Sequence, residues 1–256
     1  MTLEEAARNA ILADERVSEA YARRLRDTQK ILEGRLAEYY RQAKQTATVD
    51  AELARQNIGR LLQESGFDDT VTALFDEGYQ EFLEGAHKFY KNAYGINLQY
   101  TDTTLENLNQ LRAVAQQRFG DLEIGLQSIL QDELVKLQFG ATSFDIAEKQ
   151  LVDIVNSFYG RYIYTYLNTA TKDFGNAARN AQAEELGAEE YEYIGPLDDL
   201  TRLFCESVID EIKSKEEWQE MTNDDGDPVW THLGGWNCRH SLFPVISAKT
   251  IREAIE

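Results

Sequence analysis

Two cysteines and two histidines lie within a short segment near the C-terminus, and these residue types can bind a metal. They are Cys205, His232, Cys238 and His240, which include both cysteines and two of the three histidines of the chain. Two thiolates and two imidazoles form a ligand set that tetrahedral zinc accepts. The spacing differs from that of most zinc fingers, because His232 and Cys238 are six residues apart and one residue separates Cys238 from His240. The residue types predict a zinc site of irregular spacing.

Two other states of the cysteines stay open at this point. One is a disulfide between Cys205 and Cys238, with the histidines as bystanders. The other is a pair of reduced, packed thiols, since free cysteine is among the most buried residue types. Two cysteines at this spacing do not resemble the framework of a secreted disulfide-rich domain.

A glycine pair just before Cys238 predicts a tight turn over residues 234–237. Gly234 and Gly235 permit positive φ and close approach of the backbone to other groups. Asn237 is a frequent turn residue, because its side chain can bond to nearby backbone. We expect this turn to direct Trp236 inward and to present Cys238.

Charged residues around the cysteines predict a structural ion pair. Arg202 or Arg239 paired with Asp198 would hold a small domain together. Cys238 and His240, two residues apart, can also be drawn as a nucleophile with its base. That spacing does not guarantee hydrogen-bond geometry on a strand, and this alternative is weaker.

Motifs of common enzyme classes are absent from the sequence. There is no G-x-x-x-x-G-K-[ST], no G-x-G-x-x-G after a strand, no H-E-x-x-H and no G-x-S-x-G. We therefore predict a protein that is not an enzyme.

The same segment resembles the C-terminal domain of the phage Mu F-like minor head proteins, which act in head morphogenesis of tailed bacteriophages. The resemblance covers residues 160–247. This chain has Leu203 where the family usually has proline, and Trp236 where it often has tyrosine. The matching positions are Tyr193, Gly195, Pro196, Asp198, Thr201, Arg202, Cys205, Gly234, Gly235, Trp236, Asn237, Cys238, Arg239, His240 and Pro244.

The resemblance implies a structural minor component of the virion. Such a protein associates with the portal and the capsid interior during head assembly, DNA packaging or ejection, and contact with packaged DNA is a further expectation. The implied location is the head interior or portal vertex, and the host cytoplasm during assembly. The family offers no settled catalytic residue set, so no active site is carried over. The alternatives are a zinc-stabilised acidic module that binds a basic partner and, less favoured, a toxin-like enzyme.

The net charge of −19 is unevenly distributed. Residues 1–60 carry 11 basic and 10 acidic side chains, whereas residues 184–227 carry 3 basic and 16 acidic ones. A surface with this much negative charge repels the phosphate backbone of nucleic acids, and extensive binding to a DNA duplex is therefore not expected. It favours a basic partner or a solvated face. No run of 18 apolar residues exists, and the N-terminus lacks the pattern of a signal peptide, so we predict no membrane association.

Apolar periodicity predicts a mainly α-helical fold with a small α+β part at the C-terminus. Residues 3–45 read as one helix about 60 Å long, which packs within the chain, forms an oligomer or docks on a partner. Its packing within the chain is slightly favoured. The predicted domains are residues 1–140, a helical region, and residues 141–256, an α+β domain. Further helices are expected at 71–94, 104–118, 121–138, 144–158 and 248–255, and strands at 191–194 and 241–246, with Pro244 marking a sheet edge.

Several helix ends and breaks are also predicted. The apolar period of the first helix breaks near Asp14, and a second helix is expected to open at Thr48–Asp50 and to end at Gly66. Asp68 or Asp69 is expected to cap the helix at 71–94, and Asp198 or Asp199 to cap a helix that carries Arg202 and Cys205. Gly160 is expected to separate the helix at 144–158 from a helical stretch that continues toward Ala183.

Overall fold

A computed structural model of the chain describes residues 1–46 and 51–255. The helices are α1 Leu3–Thr46, α2 Ala51–Glu64, α3 Phe67–Ala73, α4 Tyr79–Tyr94, α5 Asp102–Gln138, α6 Phe144–Phe158, α7 Tyr164–Glu185, α8 Leu203–Val208, α9 Lys215–Glu220, α10 Val229–His232 and α11 Ala248–Ile255. The strands are β1 Glu190–Ile194, β2 Ile212–Ser214 and β3 Ser241–Val245. The predicted fold class, mainly α with a small α+β C-terminal part, is confirmed.

The long N-terminal helix is confirmed almost to the residue. A capping box starts α1, because Glu5 N donates to Thr2 Oγ1 and Thr2 N donates to the Glu5 carboxylate. Its apolar stripe is buried within the chain, as intramolecular packing requires. Buried members of the stripe include Ala7, Ile11, Val17, Tyr21, Leu25, Leu32 and Leu36.

The predicted break at Gly120 is wrong, because α5 runs through this residue without interruption. A glycine inside a helix costs about 1 kcal/mol relative to alanine. Burial of Phe119 and Leu126 on the same helix outweighs that cost. Tertiary packing therefore decides the continuity of α5.

Two other local expectations are corrected. Asp68 and Asp69 do not cap a helix; they lie in the first turn of α3, which follows Gly66 in the left-handed conformation. Gly160 does not break the chain into separate helices. The π-helical segment Tyr159–Ile163 contains it and joins α6 to α7, as the π-helical segment Leu74–Gly78 joins α3 to α4. The predicted start of the second helix at Thr48 to Asp50 lies outside the described residues.

The chain divides into two compact units. Unit 1 comprises residues 1–19, 76–113 and 166–256, and unit 2 comprises residues 20–75 and 114–165. Each unit takes residues from both sides of position 140, and the domain division at that position stays a prediction. In unit 2, Phe119 contacts the rings of Phe67 and Phe75.

A three-stranded antiparallel sheet forms part of the core of unit 1. Its order is β2-β1-β3, so β1 is central and the predicted edge position of Pro244 is confirmed. Tyr191 and Tyr193 of β1 are fully buried, and Trp218 of α9 donates its indole N–H to the Tyr191 carbonyl at 2.8 Å. Strand β2 escaped prediction, because three residues are too few to display a period.

Among the described helices, none combines the length and the apolar character needed to cross a lipid bilayer.

Candidate functional site

Three of the four predicted ligand residues form one buried cluster in unit 1. The Sγ atoms of Cys205 and Cys238 are 3.9 Å apart, and Cys238 Sγ is 3.8 Å from Nδ1 of His240. One ligand atom from each residue lies within 4.8 Å of the others. Both cysteines are free thiols in this arrangement.

Secondary structure brings these three side chains together from separate parts of the segment. Cys205 is in α8, whereas Cys238 and His240 lie between the glycine turn and β3. Tyr193 of β1 stacks its ring on the His240 imidazole, with centroids 5.2 Å apart. The Tyr193 hydroxyl lies 3.5 Å from each sulfur. The cluster therefore joins α8 to the central strand of the sheet.

The surroundings of Cys238 stabilise negative charge on its sulfur. Backbone N–H groups of Gly234 and His240 donate to Cys238 Sγ at 3.3 and 3.4 Å. The hydrogen bond with Cys205 is the largest influence, and together with the bond to His240 it lowers the pKa of Cys238 to about 3 despite burial. The same bond and burial raise the pKa of Cys205. The contact between the two sulfurs therefore favours negative charge on Cys238 over negative charge on Cys205.

The second imidazole nitrogen of His240 is less well satisfied. His240 Nε2 is buried and has no hydrogen-bond partner among the described residues. Stacking against Tyr193 and close contact with Gly195 hold the ring in place. The ring is thus held with Nδ1 toward the sulfur of Cys238 and Nε2 on the opposite side.

Two glycines are required by close approach to the cluster. A Cβ on Gly234 would lie 2.3 Å from Cys205 Sγ, and a Cβ on Gly195 would lie 2.3 Å from Cδ2 of His240. Real Cβ atoms do not make such contacts, so neither position accepts a larger residue without movement of the cluster. Gly235 has a different role, because its φ of 89° lies in the left-handed region that glycine adopts freely.

The predicted turn before Cys238 is present, but the direction of its tryptophan is wrong. Cys238 N donates to the Gly235 carbonyl at 3.1 Å, and Asn237 has a φ of 58°. Trp236 remains 44% exposed instead of pointing inward. The interior position is filled by Cys238, which the turn presents as expected.

Arg202 holds this turn against the first half of the segment. Its guanidinium donates to the carbonyl oxygens of Gly234 and Trp236. A Cβ on Gly235 would lie 2.9 Å from Arg202 Nη1, so the glycine also makes room for the guanidinium. Arg202 is therefore not the partner of Asp198.

Asp198 forms an ion pair with Arg239, which is one of the two partners predicted for it. Arg239 Nη1 donates to Asp198 Oδ2 at 2.8 Å, and Nη2 donates to the other oxygen. This bidentate bond holds the pKa of Asp198 well below its usual range. The expectation that Asp198 or Asp199 caps the following helix is wrong, because Arg202 occupies the N-cap position of α8. The Asp198 carboxylate instead accepts from Leu200 N, while the Asp198 N–H donates to Thr201 Oγ1.

His232 is the predicted ligand that the structure places elsewhere. It ends α10 with an exposed ring, and its Nδ1 lies 3.7 Å from Oδ2 of Asp173 on α7. Both residues line a groove of about 670 Å³ in unit 1, together with Trp230 and Asn180. Sequence spacing could not reveal this, because the direction of the short helix α10 decides where the ring points.

Asp173 gives the stability of unit 1 a pH dependence that can be tested. Burial, and then the charge of Cys238, raises the pKa of Asp173 from 3.8 to about 7. The folded chain thus holds this proton more tightly than the unfolded chain, and the resulting stabilisation is lost as pH rises from about 4 through about 7. We expect Asp173→Asn to raise the free energy of unfolding at pH 8 by on the order of 2–4 kcal/mol, with little change at pH 4.

Urea unfolding at both pH values measures this difference. Asp132→Asn is the matched control, because Asp132 is an exposed carboxylate on α5. An Asp173→Asn variant with the same pH dependence as the original chain contradicts the prediction.

The structure contains a buried ion pair between α1 and α7 that the sequence did not predict. Arg179 Nη1 donates to Asp14 Oδ2 at 2.7 Å, and both side chains are almost inaccessible to solvent. Arg179 also donates to Ser241 Oγ at 3.3 Å and covers the Phe243 ring of β3. The one signal was a break in the apolar period of α1 at Asp14.

Comparisons with known proteins add no relative. No protein-family model matches the chain, and neither a curated protein nor a solved structure matches it.

Proposed function

We propose that this chain is a structural minor head protein of a tailed bacteriophage. In this proposal it associates with the portal at the head interior during head assembly, packaging or ejection, and it is not an enzyme. The buried cluster supports a structural role, since Cys205 and His240 are almost inaccessible and Cys238 is only slightly exposed. A catalytic nucleophile has to meet its substrate, and such burial disfavours that role.

The observation that carries the proposal is the convergence of the two halves of the phage-like motif. Residues 193–205 and 234–240 are separated by about thirty positions, yet they bind each other through three kinds of contact. These are the thiol–imidazole cluster, the Arg202 bonds to turn carbonyls and the Asp198–Arg239 ion pair. These contacts give the motif residues a role in holding the fold together. A structural role of this kind agrees with a family motif that contains no catalytic residues.

The same scaffold presents apolar side chains to solvent. Leu200 and Leu203 are 78% and 81% exposed, and Leu197 beside them is also exposed. Trp236 is joined to this loop through its carbonyl bond with Arg202. Exposed apolar groups that lie close together in the chain are typical of a protein-binding surface. We call Leu197, Leu200, Leu203 and Trp236 the leucine loop surface.

The charge around the leucine loop surface indicates the chemistry of its partner. Its three leucines lie within the acidic segment 184–227, so the complementary surface on the portal is basic with an apolar centre. We therefore propose the leucine loop surface as the dock in preference to α1, because the apolar stripe of α1 is buried. Oligomers through α1, contacts with capsid proteins and contact with packaged DNA stay predictions.

Co-expression with the portal protein of the same phage tests the proposal. We expect the full chain to co-elute with the portal oligomer at a fixed ratio in size-exclusion chromatography with mass determination. The double variant Leu200→Glu with Leu203→Glu should lose co-elution, because it places charge in an apolar contact. The control is Ile124→Glu with Phe139→Glu, two exposed apolar positions in unit 2, and it should bind normally.

Either of two results would overturn the proposal. One is a lone monomer with no affinity for portal or capsid proteins. The other is binding to a basic partner unrelated to the virion, which would favour the acidic binding module. Equal loss of binding in both double variants would reject the leucine loop surface as the dock.

A further inference from the structure

The spacing of the buried cluster matches that of ligands around a tetrahedral metal. Zinc–sulfur bonds are about 2.3 Å long and zinc–nitrogen bonds about 2.0–2.1 Å, so two sulfurs on one ion lie about 3.8 Å apart and a sulfur and a nitrogen about 3.5 Å. The separations in the cluster are 3.9 Å between the sulfurs and 3.8 Å between Cys238 Sγ and His240 Nδ1, and all three ligand atoms lie within 4.8 Å of one another. A metal could enter with small side-chain adjustments.

We propose that Cys205, Cys238 and His240 bind one Zn²⁺ ion. Two soft thiolates and an imidazole select zinc over magnesium or calcium, which prefer oxygen ligands. Binding releases the thiol protons of the cysteines to solvent, because thiolates are the ligands. No oxidant or reductant takes part in this step.

Local structure prepares the sulfurs for a cation. Cys238 Sγ already accepts two backbone N–H groups, from Gly234 and His240, and such bonds stabilise a thiolate that a metal then shares. Gly234 passes so close that a side chain would occupy the space between the sulfurs. The imidazole is held by its stacking on Tyr193. These contacts fix three ligands before any ion arrives.

The fourth coordination position lies next to Tyr193 and excludes His232. The Tyr193 hydroxyl is 3.5 Å from both sulfurs, a separation close to that between ligands of one tetrahedral ion. His232 instead lies beside Asp173 with an exposed ring. The site is thus a Cys2His set with an oxygen, from the Tyr193 hydroxyl or water, completing it.

The ion would link the two halves of the motif at their centre. Cys205 belongs to the first half, and Cys238 and His240 belong to the second. Structural zinc contributes directly to folding free energy, so removing it should loosen the scaffold beneath the leucine loop surface. This inference stands apart from the portal proposal, because metal content is measured on the isolated chain.

Metal analysis of the reduced full-length chain tests the site. After incubation with zinc and removal of free ion, we expect about one zinc ion per chain. Cys205→Ser, Cys238→Ser and His240→Asn should each lose most of that zinc. His232→Asn is the matched control and should keep it, because His232 lies outside the cluster.

Cobalt titration of the unmodified chain covers the case in which ligand variants fail to fold. We expect the visible bands of tetrahedral Co²⁺, with thiolate charge transfer in the near ultraviolet, and displacement of both by zinc. A reduced, folded chain that binds neither ion overturns the proposal and leaves a disulfide or inert thiols. Zinc retained by His240→Asn but lost from His232→Asn overturns the ligand assignment.

Discussion

Replacing Arg179 with methionine is expected to lower the free energy of unfolding by about 3–5 kcal/mol. The guanidinium is fully buried and bonds to the Asp14 carboxylate, which is itself only 3% exposed. The variant leaves the Asp14 carboxylate buried without the guanidinium that neutralises it. It also removes the hydrogen-bond donor to Ser241 Oγ. Urea unfolding followed by circular dichroism measures the loss.

Two further variants separate loss of charge pairing from loss of volume. Asp14→Leu combined with Arg179→Met removes both charges of the pair, and it should recover most of the stability because neither partner stays buried without the other. Arg8→Met breaks the exposed pair with Glu4 on the same helix and should cost at most about 1 kcal/mol. If Arg179→Met is no worse than Arg8→Met, the buried pair does not hold α1 to α7.

Replacing Gly234 with alanine is expected to cost about 1–3 kcal/mol of unfolding free energy. The new methyl group would overlap Cys205 Sγ and press on Cys238 Sγ and the Tyr193 hydroxyl. Relief requires the turn to move away from α8, which weakens the Arg202 bond to the Gly234 carbonyl. Unfolding with a chelator present measures this steric effect without a metal.

Gly120→Ala provides the comparison for this substitution. A Cβ at Gly120 meets no atom within 4 Å, and the residue lies inside α5. Alanine should therefore raise stability by about 0.5–1 kcal/mol through its higher helix propensity. Similar stability changes in the two variants would show that the Gly234 backbone is not confined by the cysteines.

Local sequence patterns were sufficient for much of the architecture. The apolar period of residues 3–45 predicted α1 despite its break near Asp14, and the break after residue 140 predicted α6, where the Ser143 hydroxyl accepts from Ile146 N. Pro244 correctly marked an edge strand. These features depend on the conformational preferences of residues that are neighbours in the chain, and those preferences can be inferred from the sequence alone.

Helix ends and breaks were less predictable where packing competes with propensity. Glycine has a low helix propensity, which predicted a break at Gly120, but the burial of Phe119 keeps α5 continuous. Asp198 has the chemistry of a helix cap, yet its carboxylate accepts from the Arg239 guanidinium and from Leu200 N instead. In both places a contact distant in sequence offers more free energy than the local alternative.

The sequence by itself determined that two cysteines, two histidines and a glycine turn share one short segment. Only the tertiary structure decided that His240 joins the sulfurs and His232 does not, because α10 points the latter toward Asp173 on α7. Only the tertiary structure paired Asp14 with Arg179, which are 165 residues apart. Residue types fix which chemistry is available, whereas the packing of helices against the sheet fixes which groups lie within bonding distance.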